Sequence, residues 1–228
     1  MKQQTTQRKK TRGRNVQSQG VPREVKILGW LSLPLILIAV IVVLTRPSAN
    51  EQPPVDSTRL VRSDSPVLGA ADAPVTLVEF LDPECESCRA LFPVVKELLQ
   101  ANGEKVRLVV RYYPLHNNSI LAAAATEAAG NQGKYWEMQE MLFTRQPEWG
   151  EQQQPQTERM VQYATELGLD RERFIADLSN QQILDKIQRD LADAKALSLR
   201  GTPSFFVNGT PVPTLSPDAL QAAIDQAQ

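Results

Sequence analysis

Residues 75–88 read Val-Thr-Leu-Val-Glu-Phe-Leu-Asp-Pro-Glu-Cys-Glu-Ser-Cys, and this stretch decides the fold. Its first seven residues are mostly β-branched or apolar, which is typical of a central strand that is buried on both faces. The next three, with their proline, indicate a turn. Apolar residues then recur at helical spacing through residues 89–100. The pattern predicts a buried strand that runs into a helix, with Cys85 and Cys88 at the first turn of that helix.

These two cysteines are the only ones in the chain. A sulfur near the positive end of a helix is favoured as a thiolate, and a second sulfur close by can displace a mixed disulfide. Zinc is one alternative, but it lacks ligands because His116 is the single histidine. A structural disulfide is another, although so small a loop contributes little chain entropy. We expect a redox-active Cys85–Cys88 pair, with no metal and no organic cofactor.

The charge is divided along the chain. Residues 1–46 contain nine lysines and arginines and one acid, whereas the rest has a net charge of −9. An acidic domain without a basic stripe argues against nucleic-acid binding. Ile27–Leu44 has eighteen residues and no charge, so as a helix it spans roughly 27 Å, enough to cross the hydrocarbon core. The basic flank predicts a cytoplasmic N-terminus and an extracytoplasmic domain.

A cleaved signal peptide is the alternative reading of this apolar run. The run is longer than the usual core of a signal peptide, and Pro47-Ser48-Ala49 is a poor cleavage site. Prolines and polar residues follow without a hydrophobic period, which favours a tether. We therefore predict four regions along the chain: a basic cytoplasmic head (1–26), a transmembrane anchor (27–44), a flexible tether (45–67) and a globular domain (68–228).

The domain sequence continues as an α/β pattern. A second strand is predicted at 106–113, and Asn208-Gly209 is a strong signal for a hairpin turn. Ser216 and Pro217 are typical of a helix start. The remaining predicted helices are 120–129, 134–144, 157–167, 171–178 and 181–197, followed by a strand at 203–207 and a last helix that ends at Ala227.

Four features coincide in this pattern. The cysteine pair opens a helix after a buried strand. Pro93 lies inside that helix, where proline normally costs about 3 kcal/mol. Glu79 is an acid in an apolar strand, where an isolated charge is penalised. Gly201-Thr202-Pro203 directly precedes the third strand. With the order β-α-β, helices, β-β-α, the chain resembles the thioredoxin fold.

The resemblance covers roughly residues 65–228 and is closest to the DsbA-like extracytoplasmic thiol–disulfide oxidoreductases, including membrane-anchored members similar to the BdbD group. Pro203 follows Cys88 by 115 positions. This spacing matches the helical insertion of the DsbA type, so the resemblance implies a thioredoxin fold with a helical insert at about 118–199, between the second strand and the cis-proline strand.

The resemblance also implies roles for individual residues. Cys85 corresponds to the nucleophile and Cys88 to the resolving cysteine. Thr202 and Pro203 correspond to a pair with a cis peptide bond that faces the disulfide and binds substrate backbone. Glu79 corresponds to a buried acid that assists proton transfer at Cys88. Pro203 in the trans form and Glu79 as a solvated edge-strand acid are the alternatives.

Glu86-Ser87 departs from the strongly oxidising pattern, because no histidine lies between the cysteines. Glu86 brings a negative charge near the sulfur and disfavours its thiolate, whereas helix-end amides and the Ser87 hydroxyl favour it. We therefore treat both residues as candidates for redox tuning. His116 is read as a loop residue and not as a metal ligand.

We expect an oxidoreductase that exchanges disulfides with cysteine-containing proteins outside the cytoplasm, with a DsbA-like oxidase as the first choice. The expected partners are these substrates, a membrane redox protein that recycles the disulfide, and the membrane itself. Disulfide isomerase or reductase activity is one alternative. A non-catalytic peptide-binding chaperone on the same fold is another.

Overall fold

A computed structural model describes residues 56–228. The predicted head, the predicted anchor and the first part of the predicted tether lie outside the described residues. Five strands form one sheet in the order β1-β3-β2-β4-β5. Their bounds are β1 Val67–Leu68, β2 Val75–Leu81, β3 Val106–Tyr112, β4 Ser204–Val207 and β5 Thr210–Val212.

All described helices except α1, which lies in the predicted tether, agree closely with predicted ones. Their bounds are α1 Ser57–Leu60, α2 Glu86–Asn102, α3 Ser119–Gly130, α4 Tyr135–Thr144, α5 Thr157–Glu166, α6 Arg171–Leu178, α7 Gln181–Ala196 and α8 Pro217–Ala227. Short 3-10 turns lie at Gly103–Lys105 and Gln146–Glu148. Helices α3 to α7 lie between β3 and β4, so the predicted helical insert is confirmed.

Strand β2 occupies the centre of the sheet. It pairs in parallel with β3 and antiparallel with β4. Because side chains alternate between the two faces of a strand, the residues of β2 pack in two separate cores. Leu77 and Leu81 face the core formed with α2 and the insert, while Val78 and Phe80 face the core that includes Ala194 of α7. The carboxyl end of β2 leads straight into the turn that bears the cysteines.

Helix α3 packs tightly in the centre of the insert. Its alanines at 122–125, 128 and 129 are all buried, and the absence of long side chains there lets neighbouring helices approach. The helix contacts α4, α6 and α7. Met138 of α4, Met160 of α5 and Phe174 of α6 are wholly buried against this core. The insert is therefore joined to the sheet by one continuous apolar core.

Side-chain caps stabilise the starts of two helices. Asp170 caps α6 by accepting from Arg173 N. Ser216 caps α8 by accepting from Ala219 N, which confirms the helix start predicted at Ser216 and Pro217. The N-cap residue of α5, Gln156, makes no side-chain cap bond. Pro93 lies inside α2, as predicted.

The second half of the predicted tether folds onto the domain. Residues 57–60 form α1, in which Leu60 is only 2 % exposed. Arg62 donates to Asp193 at 2.7 and 2.9 Å, and β1 pairs antiparallel with β3. The folded region therefore begins before the predicted residue 68. Local patterns do not indicate this, because the apolar and charged partners of residues 57–67 lie far away in sequence, on β3 and α7.

Within residues 56–228, none of the helices combines the length with the apolar character that crossing a bilayer requires.

Candidate active site

The two cysteines lie at the start of α2. Cys85 is the N-cap residue, with extended backbone, and its N–H donates to the carbonyl of Asp82 at 3.1 Å. Cys88 lies in the first turn and is wholly buried, whereas Cys85 is partly exposed. Both are free thiols in the structure. An incoming sulfur therefore reaches Cys85 before it can reach Cys88.

The surroundings of Cys85 favour its thiolate. The pKa of Cys85 is lowered to about 5, chiefly by a hydrogen bond from the Cys88 thiol, with further bonds from the side chain of Thr202 and the backbone N–H groups of Cys88 and Ser87. Partial burial opposes this shift but does not overcome it. Backbone N–H groups at a helix start are unpaired within the helix, so they are free to serve a thiolate.

The surroundings of Cys88 act in the opposite direction. Burial raises the pKa of its thiol well above the ordinary value, and the neighbouring Cys85 and Glu79 raise it further. A negative charge on Cys88 would have to form in an apolar site beside two other groups that can be anionic. At neutral pH one sulfur of the pair is therefore a thiolate and the other keeps its proton.

Glu79 lies in the middle of the central strand, opposite Val110 of β3 and Phe205 of β4. Its side chain faces the same core as Cys88 and is 4 % exposed. Burial raises the pKa of this carboxyl to about 8, and the negative charge of Cys85 contributes to the shift. The carboxyl can thus exchange a proton near neutral pH, and the alternative of a solvated edge-strand acid is wrong.

Thr202 and Pro203 face Cys85 from the other side of the site. The peptide bond between them is cis. Sγ of Cys85 lies 3.4 Å from the Thr202 carbonyl oxygen, to which it donates when the thiol is protonated. Strand β4 starts one residue later and pairs antiparallel with β2. The sheet itself therefore brings this pair to the cysteines across 115 positions of sequence.

Comparisons with known proteins agree with this geometry. The sequence model of a family described as thioredoxin matches residues 62–226. The chain belongs to this family.

Solved structures place it further among thioredoxin-fold proteins. A thioredoxin-like oxidoreductase from Silicibacter pomeroyi is 34 % identical, with a TM-score of 0.65, over 75 % of this chain and 96 % of the other. BdbD from Bacillus subtilis is 25 % identical, with a TM-score of 0.65, over 72 % and 92 %. The α-DsbA1 protein of Wolbachia pipientis, 20 % identical with a TM-score of 0.67 over 76 % and 95 %, shares the fold. The protein is a DsbA-like member of the thioredoxin fold.

The curated relatives that match this chain are named as a different kind of protein. A protein from Herminiimonas arsenicoxydans named Na(+)/H(+) antiporter NhaA is 42 % identical over 143 residues, which are 63 % of this chain and 22 % of that protein. A second, from Salinispora tropica, is 40 % identical over 63 % of this chain and 21 % of that protein. The chain thus spans about a fifth of the length of the curated relatives that it matches.

The turn of this thioredoxin-family site is held by two acids that the sequence did not single out. Asp82 is wholly buried, and its side chain accepts from the backbone N–H groups of Glu84 at 2.8 Å and Leu115 at 2.7 Å. Glu84 accepts from Asn118 N at 2.6 Å and Glu151 N at 2.9 Å. Both carboxylates therefore join the cysteine turn to loops of the insert.

Gln146 of the insert also contacts the turn. Its Nε2 donates to the carbonyls of Pro83 at 2.8 Å and Cys85 at 3.1 Å. Its Oε1 accepts from Arg89 Nε at 3.0 Å. Gln146 lies 61 positions from Cys85, and the only sequence signal for it is a polar residue next to Pro147 in a helical region.

Glu86 and Ser87 point outward, between the cysteines. The side chain of Glu86 is 70 % exposed and lies 3.9 Å from Arg89, measured from Oε1 to Nη2. Ser87 is exposed, and it is its backbone N–H that favours the Cys85 thiolate. The tuning role predicted for Glu86 stays a prediction.

In the part of the chain that the structure describes, no group of three or more histidine, cysteine, aspartate or glutamate side chains is arranged to hold a metal ion. His116 lies in the loop between β3 and α3, as predicted, and its Nδ1 is 2.7 Å from Oδ2 of Asp82.

Proposed function

We propose that this protein is a membrane-anchored, extracytoplasmic thiol–disulfide oxidoreductase that acts as a DsbA-like oxidase through a Cys85–Cys88 disulfide, without another cofactor. The observation that carries the proposal is the contrast between the two sulfurs. Cys85 is partly exposed with a pKa lowered to about 5, whereas Cys88 is buried with its pKa raised. A nucleophile and a resolving group need this difference in access and charge.

In the oxidising direction, a substrate thiolate attacks Sγ of Cys85. The Cys85–Cys88 bond breaks, a mixed disulfide forms, and Cys88 leaves as a thiolate that takes up a proton. A second substrate thiolate then attacks the substrate sulfur of the mixed disulfide. The substrate disulfide forms, Cys85 leaves as a thiolate, and two electrons have passed from the substrate to the protein.

Glu79 is suited to the proton transfer at Cys88. Its carboxyl faces the same core, and with a pKa of about 8 it holds a proton that it can give up near neutral pH. When Cys88 leaves the disulfide, the protonated acid can neutralise it. When Cys88 must attack a mixed disulfide, the carboxylate can take the proton away, so one buried group serves both directions.

The direction of transfer follows from the stability of the thiolate. A stabilised Cys85 thiolate lowers the free energy of the dithiol form, which makes the disulfide form the stronger oxidant. This favours the oxidase over an isomerase or a reductase. A chaperone with an inert disulfide is disfavoured, because Cys85 is partly exposed and the pKa of its thiol is lowered to about 5, which makes the sulfur reactive.

The proposed location is the cytoplasmic membrane, with a cytoplasmic N-terminus and an extracytoplasmic catalytic domain. It rests on the uncharged run Ile27–Leu44 and its basic flank. Two proteins that match 63 % of this chain are named as Na(+)/H(+) antiporters, and that name favours a membrane setting. The proposed partners are cysteine-containing extracytoplasmic proteins and a membrane redox protein that reoxidises the dithiol.

Two measurements test the activity. Reduced protein treated with a limiting alkylating agent should be labelled at Cys85 first, and oxidised protein should convert a reduced, unfolded substrate to its disulfide form. Cys85→Ser should abolish this conversion, whereas Cys88→Ala should accumulate a mixed disulfide at Cys85, because the resolving thiol is missing. Prior labelling of Cys88, or oxidation by the Cys85→Ser variant, would reverse the assignment.

A potential measured against glutathione tests the direction. We expect a value more oxidising than that of the glutathione pool, since tens of millivolts decide which way electrons flow. A value well below it would make the protein a reductase, and a protein that neither oxidises nor reduces substrates while still binding peptides would be a chaperone. A C-terminal reporter that is active only outside the cytoplasm tests the orientation, and a silent fusion would contradict it.

A further inference from the structure

The loop between β3 and α3 carries His116, the single histidine of the chain. Its Nδ1 lies 2.7 Å from Oδ2 of Asp82, and its side chain is 46 % exposed. The backbone N–H of His116 donates to Oγ of Ser119 at 3.0 Å. The ring is therefore oriented at Nδ1 by a wholly buried carboxylate, while part of the imidazole remains open to solvent.

Asp82 also supports the turn that carries the nucleophile. Its carbonyl accepts from Cys85 N at 3.1 Å, while its side chain binds the His116 ring and the N–H of the neighbouring Leu115. One residue thus fixes both the cysteine turn and the histidine loop. The imidazole is accordingly held beside the turn that carries Cys85 by hydrogen bonds through a single residue, Asp82.

Negative groups surround the imidazole. Burial lowers the pKa of His116, but the hydrogen bond to Asp82 and the negative charges of Asp82, Cys85 and Glu84 outweigh it, so the pKa lies above its ordinary value. These groups face the ring from the turn after β2 and from the start of α2. An electrostatic interaction acts equally on both partners, so a charged His116 must favour the Cys85 thiolate as the thiolate favours the charged His116.

We propose that the imidazolium of His116, oriented by Asp82, stabilises the thiolate of Cys85 from outside the Cys-x-x-Cys motif and thereby makes the couple more oxidising. Glu86-Ser87 provides no histidine between the cysteines, and the neighbouring loop supplies one in space. His116 is a positioning residue that acts through its charge. The inference rests on the proposed function only in requiring Cys85 to be the thiolate of a redox pair.

The effect of His116 should depend on pH. Reduction of the disulfide takes two electrons and places one proton on Cys88. The Cys85 thiolate that forms also raises the pKa of His116, so the ring takes up additional proton at pH values where it is only partly charged. The stabilisation is complete where His116 is charged in both redox states and disappears where it is neutral in both. The couple should therefore lose oxidising power more steeply as the pH rises through the pKa of His116.

The first test uses the full chain in detergent. Because there is one histidine, its ring resonances give the pKa of His116 directly by NMR in the oxidised and in the reduced protein. We expect the pKa to be higher in the reduced form by about half a pH unit or more. A Cys85→Ser variant should give the value of the oxidised form. Equal pKa values in the two redox states would overturn the proposal.

The second test is a redox titration of His116→Gln across a range of pH. Glutamine keeps a donor for Asp82 but has no charge. Near pH 6 we expect the equilibrium constant for oxidation of glutathione by the variant to be about threefold lower than that of the wild type. Near pH 9 the two constants should be equal. Lys96→Gln is the control, because Lys96 is a cation roughly 16 Å along α2 from Cys85 and its loss should leave the profile unchanged.

The two tests separate this inference from the proposed function. If the protein fails to exchange disulfides with polypeptides, the pKa of His116 should still depend on the redox state of the cysteines. If exchange is observed but the pKa of His116 is the same in both states, or if His116→Gln differs from the wild type equally at all pH values, only the role of His116 is excluded.

Discussion

Ionisable side chains are buried on both faces of the sheet, but they are paired with opposite charges on one face and lack such partners on the other. On one face, Arg111 is wholly buried and its Nη2 lies 2.8 Å from Asp190 and 2.7 Å from Asp193. On the other face, Glu79 is buried where desolvation and the charge of Cys85 both raise its pKa, to about 8. The first cluster surrounds each charge with a partner of opposite sign. In the second cluster, burial raises the pKa of Glu79 and of the Cys88 thiol, so both groups favour their neutral, protonated forms.

The two clusters show how a charge buried for stability differs from a charge buried for function. A paired charge changes little with pH near neutrality and joins elements, here β3, α7 and the segment around Arg62. An acid whose pKa is raised into the neutral range costs stability, and the fold tolerates this cost at the place where a proton must move. The following predictions test that distinction, beginning with the largest effect.

The largest effect is expected for Arg111→Met. Removing the cation leaves Asp190 buried without its charged partner, while Asp193 keeps Arg62, so the free energy of unfolding should fall by about 3 kcal/mol or more. The pKa of Cys85 should not change, because the cluster lies on the opposite face. Chemical denaturation and thiol labelling as a function of pH measure the two quantities. The matched control is Arg107→Met on the same strand, where the side chain is partly exposed; an equal loss there would remove the distinction.

Glu79→Gln should have the next largest effect, and of the opposite sign. A carboxyl whose pKa is about 8 in the folded state and near 4.5 when unfolded contributes most below pH 4.5 and loses this contribution as the pH rises to about 8. At pH 7 its removal should raise the free energy of unfolding of the reduced protein by about 2–3 kcal/mol.

The same Glu79→Gln variant should resolve mixed disulfides more slowly, because Cys88 loses its buried base. Stopped-flow measurement of the resolution step follows this effect. Glu97→Gln, at an exposed position of α2, serves as the control and should change stability by less than about 0.5 kcal/mol. A destabilised Glu79→Gln protein with normal resolution would show that the acid is structural.

Gln146→Ala should have an intermediate effect. The carbonyls of Pro83 and Cys85 lose their donor, and an unsatisfied buried polar group costs about 1–3 kcal/mol. Because the turn then loses its contact with the insert, we expect slower attack at Cys85 as well as lower stability. Gln152→Ala, at an exposed position, is the control. Unchanged kinetics in Gln146→Ala would limit the role of this contact to stability.

The smallest effect is expected for Glu86→Gln. The sequence predicts that removing this charge makes the couple more oxidising, but the side chain is 70 % exposed and faces Arg89. Water screens such a charge, so the reduction potential should rise by less than about 20 mV. Glu86→His should raise it further by adding a donor. A fall in either variant would show that the dipeptide does not set the direction of electron flow.

Much of the fold follows from local patterns. The apolar run of β2 and the turn signal at Asn208-Gly209 depend on neighbouring residues alone, and the observed elements match the predicted ones to within a few residues. The segment 57–67 was assigned to the tether because it is short and polar, with no period of its own. Its partners on β3 and α7 lie far along the chain, so local patterns contain no signal for them.

Residue type, spacing and the family resemblance that they carry are enough to predict the fold class, the cysteine pair, the buried Glu79 and the Thr202-Pro203 pair. The groups that contact the cysteine turn are seen only in the folded chain. Gln146 and His116 meet the cysteine turn across 61 and 34 positions, through Cys85 and Asp82 respectively. Contacts of this kind depend on how the insert packs against the sheet, so they have no counterpart in local sequence patterns.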